Sequence, residues 1–317
     1  MKKTCLILIA AVMFCCSTTA MAFDFWFTPI QLGISEELGG SAYHLANTDS
    51  MALITLGTLT SQKYSLVTLV GGATTQSEFS FLQAAGYTNL KNPMSIIQLA
   101  GGFNKENGVS ILQMAVFYNA KNKKSFLQMA GGINSVNEKS FLQMAGGVNA
   151  RNEDSFLQMA GGMNYDNKKS FLQMAGGVNY ENEESIIQMA GLANVENASL
   201  LQFTGGVNYK NGESIIQMAG FANVENKFSY LQLAGFYNEK GFVQIGGGNN
   251  EGVAQFGVVN LKAPFQIGLF NSSEDDGLQI GLFNVHENYN DSFQIGLLNY
   301  NKNSRFFKWM PFFNISK

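Results

Sequence analysis

Proline is scarce in this 317-residue chain. There are four, Pro29, Pro93, Pro264 and Pro311, and none between Ser95 and Gly252. Proline removes a backbone donor and is barred from central strands, so that long stretch can pair its backbone throughout. Cysteine is confined to one end: Cys5, Cys15 and Cys16. Beyond them there is no thiol for a disulfide framework, a thiolate metal site or a nucleophile. The two histidines, His44 and His286, stand without partners at metal or triad spacing and read as surface residues. No phosphate-cradling G-x-x-x-x-G-K-[ST] and no G-x-S-x-G occurs. The search for an activated nucleophile, a base and oxyanion donors therefore finds no candidate. The expectation is that the chain is not an enzyme. No catalytic, cofactor-binding or metal-ligating residue is assigned, and no cofactor or small-molecule substrate.

Long apolar runs are also missing. The N-terminus has the nearest thing to one: Lys2 and Lys3, then an uncharged, mostly apolar segment from Cys5 to Cys16, then Ala20-Met-Ala22. Positive start, short apolar middle and A-x-A ending make an export leader over residues 1–22, with the mature chain starting at Phe23. The run is too short for a retained membrane helix. Val12, Met13 and Phe14 lack the small-residue pattern that precedes a lipidated cysteine. Removing the leader takes the 20 basic residues to 18 against 23 acidic ones, a net charge of about −5. Without a basic patch, nucleic acid is excluded as a partner.

What is present is repetition. Ser125-Phe-Leu-Gln-Met-Ala-Gly-Gly-Ile-Asn134 recurs as Ser140 to Asn149, Ser155 to Asn164 and Ser170 to Asn179. Glutamine is the ruler. Gln83, Gln98, Gln113, Gln128, Gln143, Gln158, Gln173 and Gln188 fall at steps of fifteen. Gln202, Gln217 and Gln232 follow at fourteen, fifteen and fifteen; Gln244, Gln255, Gln266, Gln279 and Gln294 then come at twelve, eleven, eleven, thirteen and fifteen. Thr68 and Thr55 hold the same place upstream, and Gln31 heads a related stretch.

Each unit joins an uncharged run of about ten residues to a polar segment such as Tyr165-Asp-Asn-Lys-Lys169. Paired glycines in the run would each cost a helix about 1 kcal/mol, so the run reads as a strand. Strict alternation puts Leu157, Met159, Gly161 and Met163 on one face and Phe156, Gln158, Ala160, Gly162 and Asn164 on the other. The divisions expected are 1–22 leader, 23–50 lead-in, 51–300 β-repeat domain and 301–317 aromatic closing segment.

Two all-β architectures accommodate this pattern. In an antiparallel up-and-down β-barrel or meander each unit is a strand and a hairpin turn. In a parallel β-solenoid each unit is a coil, and like residues stack into ladders. Uniform spacing and the recurrence of Gln and Asn favour the solenoid. The barrel is favoured by eleven-residue steps, which leave little chain for a closed coil. It is favoured also by a thirty-residue echo, in which Gly205 to Ser214 repeats Gly176 to Ser185. The ten-residue run also matches an outer-membrane apolar band of about 25 Å. The antiparallel barrel or meander is the leading expectation and the parallel β-solenoid the alternative.

Three smaller signals complete the reading. Glu274-Asp-Asp-Gly277 reads as an acidic hairpin turn rather than a calcium site. The run from Gly146 to Asn152 lacks the third glycine and the aspartate of the calcium-binding nonapeptide. Aromatics gather at both ends, from Phe23 to Phe27 and from Phe306 to Phe313, as girdle residues or as caps on a repeat stack.

The C-terminal units Phe265-Gln-Ile-Gly-Leu-Phe-Asn271, Leu278 to Asn284 and Phe293-Gln-Ile-Gly-Leu-Leu-Asn299 resemble the G-[LV]-Q-[IL]-G-L-[VF]-N units of the leptospiral-type surface-repeat proteins of spirochaetes and other diderm bacteria. Thr28 to Leu32 and Trp309 to Asn314 are similar to that family's ends. The central units depart by one extra residue before the asparagine. The resemblance covers the C-terminal third and implies a surface or envelope location, with no catalytic residue. The functional expectation is an exported envelope protein of the outer membrane, structural or pore-forming. The alternative is a secreted, adhesin-like β-solenoid. The partners expected are the outer membrane or host and matrix surface molecules.

Overall fold

A computed structural model of the chain describes residues 27–33, 47–75 and 77–316. The expected leader, His44 and the aromatics Phe23, Phe25 and Trp26 lie outside the described residues. Every regular element among the described residues is a strand. The chain divides into two compact units, Met1–Gly131 and Gly132–Lys317, a boundary that falls inside the expected repeat domain.

Each unit is a parallel β-solenoid. In the second, a typical coil holds a long strand, Asp154–Ala160, and a short one, Met163–Tyr165. Each lies parallel to its counterpart one repeat later, with Gln158 beside Gln173 and Asn164 beside Asn179. In the first unit Gln31 pairs with Thr55, and Thr68 with Gln83, all in parallel strands. The threonines therefore do stand where the glutamine ruler puts them.

The antiparallel barrel is thereby overturned and the solenoid holds. The reason is visible in the eleven-residue steps. A narrow coil closes because its interior holds only Gln, Asn and small residues, a glycine and, in one coil, Ala263. Gln255 and Asn260 are buried, and a Cβ on Gly257 would sit 2.1 Å from the Gly246 carbonyl oxygen and 2.5 Å from Asn249 Nδ2. In the central fifteen-residue coils alanine fills that place, as at Ala160 and Ala175. The change from Gln-Met-Ala to Gln-Ile-Gly along the chain thus marks the narrowing of the coil. The thirty-residue echo is two successive coils, not the two arms of a hairpin.

The expected faces are also corrected. Phe156 is 48% exposed while Ser155 and Gln158 are buried, so alternation breaks between Ser155 and Gln158. Gln158, Ala160 and Asn164 line the interior, and the Leu157 and Met159 side faces out, partly exposed. The usual arrangement is inverted: among the described residues the buried apolar side chains are alanines and Val70, and the rest of the interior is polar.

Burying an amide without a partner costs about 1–3 kcal/mol, so such a core holds only if its amides pair. They do, in ladders along the stack. Gln173 Nε2 donates to Gln158 Oε1 at 3.0 Å, and Gln188 Nε2 to Gln173 Oε1 at 3.0 Å. Asparagine runs the other way, Asn149 Nδ2 donating to Asn164 Oδ1 at 3.1 Å and Asn164 to Asn179 at 2.9 Å. The same Asn149 amide crosses the interior to the Met159 carbonyl at 2.8 Å.

The polar segment after each Asn turns the corner. Its second residue takes a left-handed conformation: Arg151, Asp166 and Glu181 have φ of 53°, 50° and 49°. The residue after it is again a buried asparagine. Asn152 Oδ1 accepts from the Asn137 backbone N–H at 3.1 Å, and Asn152 Nδ2 donates to Asn167 Oδ1 at 3.0 Å. At the opposite corner the backbones of successive coils approach closely: a Cβ on Gly176 would stand 2.3 Å from the Gly161 carbonyl oxygen, and glycine holds that place in most coils, with Val116 an exception.

The fourteen-residue step is a fault in this lattice. Gln188 Oε1 accepts from Ser199 Oγ at 3.0 Å, and Gln202 Nε2 is left without a partner. Glu274 to Asp276 form an exposed corner between parallel strands rather than a hairpin turn. At the C-terminus Trp309–Ile315 folds back antiparallel on Ser292–Asn301, as a cap on a repeat stack would.

Candidate functional site

With the polar side chains turned inward, the outer surface holds the chemistry available to a partner. From Gln143 to Gln244 in the second unit the residue two before each Gln is apolar and exposed, from Phe141, Phe156 and Phe171 through Ile186, Leu200 and Ile215 to Tyr230 and Phe242. The parallel register holds these side chains in a column. Phe141 and Phe156 stack at 5.0 Å with planes 4° apart, and Phe156 and Phe171 at 4.9 Å and 6°. Beside them run Leu142, Leu157 and Leu172, then Met144, Met159 and Met174, all partly exposed. The result is a flat apolar sheet face.

The apolar character continues past the glycine corner. Leu192, Phe221 and Phe236 are exposed there, the last two stacked at 5.2 Å. On the short-strand side Tyr165 stacks on Tyr180 at 5.6 Å, and Phe270 on Phe283 at 5.1 Å.

Charge is restricted to the remaining corner. Opposite signs meet there along the stack: Lys169 and Glu184 at 3.3 Å, Lys168 and Glu153 at 3.5 Å, Arg151 and Asp166 at 3.7 Å. These pairs are exposed, so each contributes at most about 1 kcal/mol; their value is in register. The tyrosines border this edge. Glu181 accepts a hydrogen bond from the Tyr180 hydroxyl, which holds the phenol above its ordinary value. Lys210 is likewise raised, chiefly by its hydrogen bond with Tyr209.

In the first unit the short-strand side carries a shallow hollow of about 480 Å³, lined by Tyr87, Phe103 and Tyr118 and rimmed by Lys105 and Lys121. Tyr87 and Phe103 meet edge to face at 5.4 Å.

Among the described residues no three His, Cys, Asp or Glu side chains gather as a metal cluster. His286 is wholly buried, which corrects its reading as a surface residue; its Nε2 lies 3.1 Å from the Asn290 carbonyl oxygen. Inward positions alternate less simply than outward ones, and nothing in the local sequence of His286 marks it as interior. The second buried asparagine column was missed for a different reason. Asn137, Asn152, Asn167 and Asn182 sit within the charged segments, and their recurrence at fifteen residues was the available signal. No family model, curated protein or solved structure matches the chain.

Proposed function

We propose that this chain is an exported β-solenoid that works as a binding scaffold at the bacterial surface, taking its partner on the apolar outer face. The observation that carries the reading is the unbroken column from Phe141 to Phe242, exposed at every coil. Soluble monomers rarely leave contiguous apolar patches beyond about 300–600 Å² uncovered. The leader-like N-terminus and the likeness of the C-terminal units to surface-repeat proteins support the location. The adhesin-like alternative thus replaces the pore, since the coil interior is filled by paired amides.

The test is surface proteolysis combined with a face variant. Intact cells producing the chain are treated with protease, and a tag placed at the charged corner is expected to be lost. Retention of the chain at the surface should fall when Phe156 and Phe171 are both replaced by glutamate. Recovery of the unprocessed chain in the cytoplasm sinks the proposal.

A further inference from the structure

We infer that the partner of this face is a lipid leaflet, and that the second unit lies along a membrane with its apolar sides in the acyl region and its charged corner among zwitterionic headgroups. The inference rests on the apolar-face reading above and names what covers that face.

Extent is the first argument. From Gln143 to Gln294 the stack rises eleven steps of about 4.8 Å, roughly 53 Å, and the apolar part of a long strand, as Phe156 to Ala160, is five residues or about 17 Å. The long-strand face alone therefore offers roughly 900 Å², comparable to the roughly 800 Å² per partner of a stable interface. Distribution is the second. A second copy of the chain would cover one flat face and leave Phe221 and Phe236 at the glycine corner, and Phe270 and Phe283 beyond it, in water. Fluid acyl chains cover all of these sides together.

The backbone supplies the third argument. Lipid accepts only surfaces whose N–H and C=O groups are satisfied internally. Along the sides of the stack these groups pair from coil to coil, in the strands and also at the glycine corner, as Gly176 N–H to the Ala160 carbonyl at 3.0 Å and Gly177 N–H to Gly162 at 2.9 Å. The coil is also thin, an asparagine side chain being enough to cross it, which suits the roughly 15 Å of hydrocarbon in one leaflet. The fourth is order across the surface. Apolar sides give way to Tyr165, Tyr180 and Tyr209, each directly before a charged left-handed residue. Tyrosine between apolar and charged zones is the arrangement of a membrane–water boundary.

The edge also sets the headgroup. From residue 132 to 316 it carries 17 acidic and 11 basic side chains. A net negative edge is repelled by anionic lipid, the reverse of a polybasic membrane anchor.

The test is flotation of the exported chain with phosphatidylcholine vesicles and with vesicles one-third phosphatidylglycerol. Most of the chain is expected to float with the first, and severalfold less with the second at low salt. The variant Phe156→Glu/Phe171→Glu/Phe221→Glu should float at least tenfold less. In case that variant misfolds, a single cysteine replaces Phe156 or Lys168 in the otherwise cysteine-free exported chain and carries a fluorophore. Lipid with brominated acyl chains should quench the label at 156 and spare that at 168. A chain that never floats, and forms a dimer broken by Phe156→Glu, overturns the lipid inference and leaves the apolar-face reading standing. A chain that never floats and stays monomeric, with the variant retained at the cell surface like the parent, overturns both.

Discussion

Gln173 donates its side-chain N–H to Gln158 across 3.0 Å, with both residues wholly shielded from water. The pair is one rung of a core that depends on partners rather than on oil-like packing. Replacing Gln173 by leucine would strand Gln188 Nε2 and Gln158 Oε1 together. The expected loss is about 3 kcal/mol, read as a shift in the urea midpoint. Met174→Leu, on the outer side of the same strand, should change it little.

Glycine substitutions should divide by position. Gly176→Ala forces a Cβ to 2.3 Å from the Gly161 carbonyl oxygen and should cost about 1–3 kcal/mol or more. At Gly212 the nearest atom is 3.6 Å from the new Cβ. Gly212→Ala should be neutral or stabilising by up to about 1 kcal/mol through the unfolded chain. Equal destabilisation of both in thermal melts would refute the close-approach account.

The charged corner should behave as a screened column. Lys169 stands between Asp154 and Glu184 in register. Lys169→Glu aligns three carboxylates and should destabilise by about 0.5–1 kcal/mol at low salt. Added salt shortens the screening length to about 3 Å at 1 M, so most of the deficit should vanish there. A deficit that persists in 1 M salt would point to something other than charge.

Whole coils should be removable. Deleting residues 155–169 brings Gln143 into register with Gln173 and keeps every inward position filled in kind. A cooperative unfolding transition and a β-type far-UV spectrum are expected to survive. Deleting residues 155–164 instead sets a corner against a strand, and cooperativity should be lost.

The closing strand covers the last parallel edge, and Asn299 Nδ2 ends its ladder on the Met310 carbonyl at 3.2 Å. Truncation before Trp309 bares Ser292–Asn301, an open template for another chain. Light scattering should then show concentration-dependent association. A truncated chain that remains monomeric would show that the strand serves some other end.

Much of this architecture was written in the glutamine spacing. The steps gave the coil length, the inward residue and, through Thr68, the extension upstream. The direction of the strands was not legible, because a strand followed by a tight corner has the same length whether the next strand returns or repeats. The interior was misjudged at Phe156 because two successive residues face outward between Ser155 and Gln158, a local break that alternation cannot express. The outer surface was legible as uncharged but not as outer. Expecting apolar residues inside is sound where the core is oil-like; here the amides satisfy one another, and the preference inverts.

The opposed direction of the two amide ladders has an electrostatic consequence. Peptide dipoles aligned head to tail sum to appreciable partial charge at the ends of a helix, and a column of like-oriented side-chain amides would do the same. In the narrow C-terminal coils one Gln column points back along the stack, as from Gln266 to Gln255, while one Asn column points forward, as from Asn260 to Asn271. Their fields oppose rung by rung. Narrow coils can therefore be added without a growing potential across the interior, whereas each fifteen-residue coil, with its second forward column from Asn152 to Asn167, adds one uncompensated amide dipole.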